Sequence, residues 1–136
     1  MAEASAAPHK KILVVEDDED FIVLIRMMLA SEPVDLLPVL TGARALEAAR
    51  AHPPNLVILD LLLPDMNGWE VFMQLQADPA LQHIPVIILS SQGTRTDRNF
   101  SLQVARVSDY LMKPCLPSQL RRSVQRALYP QPVPVS

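Results

Sequence analysis

The chain has 136 residues, 49% of them apolar, a formal charge of −3 and one cysteine, Cys115. That bulk suits one globular core, and the scattered arginines and slight negative charge give no nucleic-acid surface. One cysteine excludes an internal disulfide and fits a reducing compartment; without a long apolar run or a charged-then-apolar leader, the expectation is a soluble, cytoplasmic protein with no membrane span.

The first ten residues, MAEASAAPHK, are small and polar and read as a flexible arm; residues 11–128 read as the folded domain. KILVV (11–15) is the first strand. Over 18–30 the spacing predicts a helix with Phe21, Leu24, Ile25, Met28 and Leu29 on its core stripe. Ile22, Val23 and Met27 fall off that stripe, more apolar surface than one core face requires. VDLLPV (34–39) is a weaker strand, placed at a sheet edge by Pro38. An Ala-rich helix over 42–51 is stopped by His52-Pro53-Pro54. NLVILD (55–60) is the next strand, and Asn67, with Glu70 three positions on, caps a helix running to about Ala77. IPVIIL (84–89) is the fourth strand, 95–106 a weaker helix, and DYLM (109–112) the fifth strand. A last helix spans 117–128, with Pro117 in its first turn. Residues 129–136 read as a proline-rich tail or linker.

Strand and helix thus alternate five times, and the strands are near-continuous aliphatic runs. The expected fold is α/β: a doubly wound, five-stranded parallel sheet with five helices on both faces. Functional groups in such sheets gather outside the carboxyl ends of the strands. Those ends carry Glu16-Asp17, Asp60, Ser90-Ser91 and Lys113-Pro114. An acidic pair, a lone acid, a hydroxyl and a lysine should converge on one edge.

The segments ILVVEDD, LVILDLLLPDMNG, PVIILSS and DYLMKP, covering roughly residues 10–128, resemble the response-regulator receiver domain of two-component signalling. The resemblance implies strand order 2-1-3-4-5 and a phosphoryl group accepted by Asp60 from a sensor histidine kinase or a histidine phosphotransfer protein. It implies Mg²⁺, with Mn²⁺ an admissible substitute, held by Asp17, Asp60 and the backbone carbonyl of Leu62, and by Glu16 through water. Lys113 and Ser90 would bind the phosphoryl oxygens, Ser90 and Tyr110 would switch, and Leu62 and Gln92 would set the hydrolysis rate. Chemically this is self-catalysed aspartyl phosphorylation and dephosphorylation in the service of signalling rather than metabolism. A bridging cation is what two negative reactants need, and clustered acids repel until one is present.

A downstream protein would be met by the face of the fourth helix, fifth strand and fifth helix, and the apolar surplus around Val23 and Met27 would dock the phosphodonor. Homodimerisation is common in such relatives and is left open by the sequence, as is continuation of the natural chain past residue 136; residues 129–136 are not expected to form a DNA-binding helix pair. The match departs at 106–109, where RVSD replaces a glycine-containing turn, at Ser90, where threonine is commoner, and at Cys115, where an aromatic is commoner. Cys115 reads as a small buried thiol, with a redox handle as the rival. Two other functions compete. An aspartyl phosphohydrolase would carry a second acid two residues after Asp60, where Leu62 stands. A phosphate-independent binding module would lack one of the acids or the lysine.

Overall fold

The computed structural model describes residues 8–91 and 106–130. Nine elements follow one another: β1 (Lys10–Val15), α1 (Glu19–Met28), β2 (Val34–Val39), α2 (Gly42–Ala51), β3 (Leu56–Leu59), α3 (Gly68–Ala77), β4 (Val86–Ser90), β5 (Asp109–Met112) and α4 (Pro117–Leu128). All five strands are parallel, in the order β2-β1-β3-β4-β5. The helix expected over 95–106 lies outside the described residues except for Arg106. Among the described residues, no helix is long and apolar enough to cross a membrane.

Strand side chains point alternately to the two faces, and here both faces are covered. Leu13, Val15, Val57, Leu59, Val86 and Ile88 pack with Ala45 and Leu46 of α2 and Val71, Phe72 and Leu75 of α3. Ile12, Val14, Leu56, Ile58, Ile87 and Leu89 pack on the other side with Ile25 and Leu29 of the α1 region and Leu120 and Val124 of α4. This is why β3 and, up to Ser90, β4 are apolar, and both are buried throughout. Pro38 stands on the edge strand as expected, opposite Val14.

The α1 stripe departs from the expectation. Ile22 and Ile25 are the buried residues of the helix, with Leu29 at its C-cap, whereas Leu24 is exposed. Apolar residues fill seven of the ten α1 positions, so local periodicity leaves the phase of the helix ambiguous by one step. The sheet fixes it. Val23 and Met27 are exposed, 54% and 68%, as the sequence suggested.

The helix starts follow local rules. Asp18 caps α1 by accepting from the Asp20 and Phe21 N–H groups, and Thr41 caps α2 from the Arg44 N–H. Asn67 caps α3, accepting from the Trp69 N–H at 2.8 Å. The Lys113–Pro114 peptide is cis.

Before β5, Arg106 adopts φ 62°, the left-handed region where a Cβ crowds the backbone. Here the RVSD segment stands in place of a glycine-containing turn. Arg106→Gly should therefore raise stability by about 0.5–1 kcal/mol, strain relief outweighing the added freedom of the unfolded chain. A urea midpoint that stays or falls would contradict this.

Candidate functional site

Parallel strands deliver their C-terminal ends to one edge, and the sequence puts a polar residue at four of them. Glu16 follows β1, Asp60 follows β3, Ser90 closes β4 and Lys113 follows β5. All but Lys113 are almost wholly buried, Glu16 at 2%, Asp60 at 6% and Ser90 at 0% exposure, while Asp17 is exposed at the rim. Buried charges require partners, and here they find one another. The Lys113 ammonium donates to Glu16 Oε1 and, at 3.1 Å, to Asp60 Oδ2. The other oxygens are held by the backbone: Asp60 Oδ1 accepts from the Leu62 N–H at 3.1 Å, and Glu16 Oε2 from the Asp18 N–H at 3.2 Å. The Lys113 N–H donates to the Ser90 carbonyl at 2.9 Å, which ties the lysine to the end of β4.

The electrostatics remain unbalanced. Carboxylate oxygens of Glu16, Asp17 and Asp60 lie within 4.8 Å of one another, against one ammonium, that of Lys113, among the described residues. Burial is the main reason the Glu16 carboxyl is pushed up to about 7, an effect only partly offset by its bonds from Lys113 and the Asp18 N–H. Burial pulls the Lys113 ammonium down, but its bond to Glu16 and the charge of Asp60 outweigh that and raise it. Three hard oxygen donors with surplus negative charge suit a divalent cation of the Mg²⁺ type.

The backbone after Asp60 is built tightly. The Gly68 N–H donates to the Leu61 carbonyl at 2.8 Å, and Leu62 bridges to Asn67. A Cβ at Gly68 would lie 2.3 Å from the Asp60 carbonyl oxygen, so only glycine admits this approach. Asp65, in the same loop, accepts from the Gly42 and Ala43 N–H groups at 2.8 and 2.9 Å. These bonds hold its carboxyl below the usual range and fasten the loop to the start of α2.

Glu16, Asp17, Asp60 and Lys113 are thus brought together beside the end of β4 at Ser90, and Gln92 lies outside the described residues. Tyr110 is 1% exposed and packs within the core, its ring already inward. Leu62 is half exposed beside Asp60. Cys115 is half-buried against the core, and burial pushes its thiol up, which disfavours the thiolate a redox handle needs. Sequence reasoning missed two contributors. Asp65 carried a signal in PDMNG that was read only as motif. Phe21, read as core, lays its ring 4.2 Å from the Lys113 ammonium.

A family model described as the response regulator receiver domain matches residues 12–125. The DNA-binding response regulator MtrA of Mycobacterium tuberculosis is 35% identical over 120 residues, 88% of this chain and 51% of the relative. The chain spans about half the length of such curated relatives. Among solved structures, the signal receiver domain of a LuxO-type repressor protein from Vibrio parahaemolyticus superposes with TM-score 0.82 at 31% identity, covering 88% of this chain and 90% of that one. The receiver domain of a sensor histidine kinase from Pseudomonas aeruginosa, with a magnesium ion coordinated in its active-site cleft, gives TM-score 0.78 at 29% identity, covering 88% and 98%.

Proposed function

Because this chain belongs to the response regulator receiver domain family, we propose that it is a phosphorylation-activated switch with Asp60 as phosphoacceptor. One observation carries the reading: a half-buried lysine ammonium shared between the buried carboxylates of Asp60 and Glu16, with Asp17 beside them. Structural ion pairs seldom leave surplus carboxylates so close together.

Asp60, Asp17 and Glu16 would hold Mg²⁺, Glu16 through water, together with the Leu62 carbonyl; the ion, when bound, neutralises charge between the two negative reactants. The chain's own groups do the rest. The Leu62 N–H orients the Asp60 carboxylate, which attacks phosphorus; the bond to the donor's imidazole nitrogen breaks, and an aspartyl phosphate forms. Lys113 and the Ser90 hydroxyl would bind the phosphoryl oxygens. Their shift toward the new charge, with Tyr110, biases a two-state equilibrium read by a downstream protein. The donor is a sensor histidine kinase or a histidine phosphotransfer protein, and Leu62 and Gln92 tune the return hydrolysis.

Intact mass after incubation with acetyl phosphate and Mg²⁺ tests the reading. The wild type should gain one phosphoryl group; Asp60→Asn, or chelation of the metal, should abolish the gain. Phosphorylation that survives in Asp60→Asn would move the acceptor elsewhere. No gain from acetyl phosphate or from any histidine donor would favour a phosphate-independent module.

A further inference from the structure

Phe21 stands in the first turn of α1, where its N–H donates to the Asp18 side chain at 3.3 Å. That bond fixes the start of the helix and with it the place of the ring. The ring lies face-on to the Lys113 ammonium at 4.2 Å, well inside cation–π range. The ammonium is thus enclosed by Glu16, Asp60 and an aromatic face, and the lysine side chain is only 15% exposed.

Two of those three contacts conflict with the site's own chemistry. Glu16 and Asp60 hold the lysine, and the same carboxylates belong to the cluster that could hold a metal ion. A divalent cation there would compete for the oxygens and repel the ammonium. The ring is the contact that a metal leaves untouched.

We propose that Phe21 is a positioning residue for Lys113: its ring retains the ammonium beside Asp60 when a divalent cation occupies the carboxylates. The lysine then meets the incoming phosphoryl oxygen instead of swinging to solvent or obstructing the metal. This rests on Asp60 being the metal-assisted phosphoacceptor. Without the ring, the ammonium falls back on the carboxylates and opposes the cation more strongly.

The test is a double-mutant cycle in the full chain, with Mg²⁺ affinity measured by calorimetry. Phe21→Leu should weaken Mg²⁺ binding by roughly three- to tenfold, the scale of a partly desolvated cation–π contact. In a Lys113→Ala background the same substitution should change it by less than about twofold, because the competitor is gone. Phe21→Tyr should behave as wild type. In metal-free protein, the Lys113 Hε protons should show an upfield ring-current shift that Phe21→Leu removes and Phe21→Tyr keeps. If Phe21→Leu fails to fold, Phe21→Met carries the same comparison.

Equal weakening in both backgrounds, or no ring-current shift, would overturn the role of Phe21 while leaving the phosphoacceptor reading intact. A wild type that binds no Mg²⁺ would overturn both, and the ring-current shift would then report a merely structural contact.

Discussion

Gly68→Ala should lower stability by about 3 kcal/mol and slow phosphorylation of Asp60 by about a hundredfold. A Cβ at this position would sit 2.3 Å from the Asp60 carbonyl oxygen, 2.7 Å from Leu61 Cα and 3.1 Å from the Asp60 carbonyl carbon. Every obstacle is backbone, so no side chain can swing aside. Relief must come from moving α3 or the strand end, and either shift displaces the Asp60 carboxylate from Lys113 and from the Leu62 N–H. Overpacking usually costs about 1–3 kcal/mol, and a backbone clash belongs at the upper end. Gly42→Ala is the internal comparison. Its Cβ would lie 2.5 Å and 2.7 Å from Met66 Cγ and Sδ and 3.0 Å from Val71 Cγ2; all are side-chain atoms, and the flexible Met66 chain that makes the two closest contacts can turn away. It should cost about 1 kcal/mol and leave the phosphorylation rate within about threefold. Urea unfolding and the acetyl-phosphate reaction read both quantities. Comparable effects of the two substitutions would contradict the distinction between backbone and side-chain obstacles.

Lys113→Ala should be the second large effect, with a pH dependence that identifies its cause. In the metal-free protein it removes the partner of two buried carboxylates, a loss on the order of 2–3 kcal/mol at pH 8. The sign follows from the raised groups. The Glu16 carboxyl lies at about 7 in the fold against 4.5 ordinarily, so the folded state binds the extra proton between these values. Stability attributable to Glu16 is full below about pH 4.5 and declines as pH rises toward 7. The Lys113 bond lowers that carboxyl, so its removal raises the carboxyl further and extends the decline to higher pH. The raised Lys113 ammonium contributes its stability throughout this window, since it is charged in both folded and unfolded states there. The variant should therefore lie further below the wild type at pH 8 than at pH 5.

Mg²⁺ should reverse more of the loss at pH 8 than at pH 5, because the Glu16 carboxyl joins the other oxygens as an anion only at the higher pH. With no competing ammonium, the variant should bind the ion more tightly than the wild type while phosphorylating more slowly. Unfolding at the two pH values, with chelator and with Mg²⁺, measures each part. A loss independent of both pH and metal would mean that Lys113 contributes packing rather than charge.

The amino-acid sequence by itself determined the α/β alternation, the edge position of β2 and the gathering of Glu16, Asp17, Asp60, Ser90 and Lys113. Each follows from local pattern: continuous aliphatic runs fit strands covered on both faces, Pro38 cannot serve a central ladder, and parallel strands must end on one side. Tertiary structure decided what local pattern leaves degenerate. Ile22 rather than Leu24 is buried, because a helix apolar on most sides takes its phase from the surface it meets. Lys113 finds Glu16 across 97 positions of chain, and Asp65 reaches α2 across 22 and 23. The Phe21 ring meets the ammonium only once α1 and the end of β5 lie side by side. Such contacts depend on where two distant segments are brought by the sheet, and periodicity along one segment carries no record of the other.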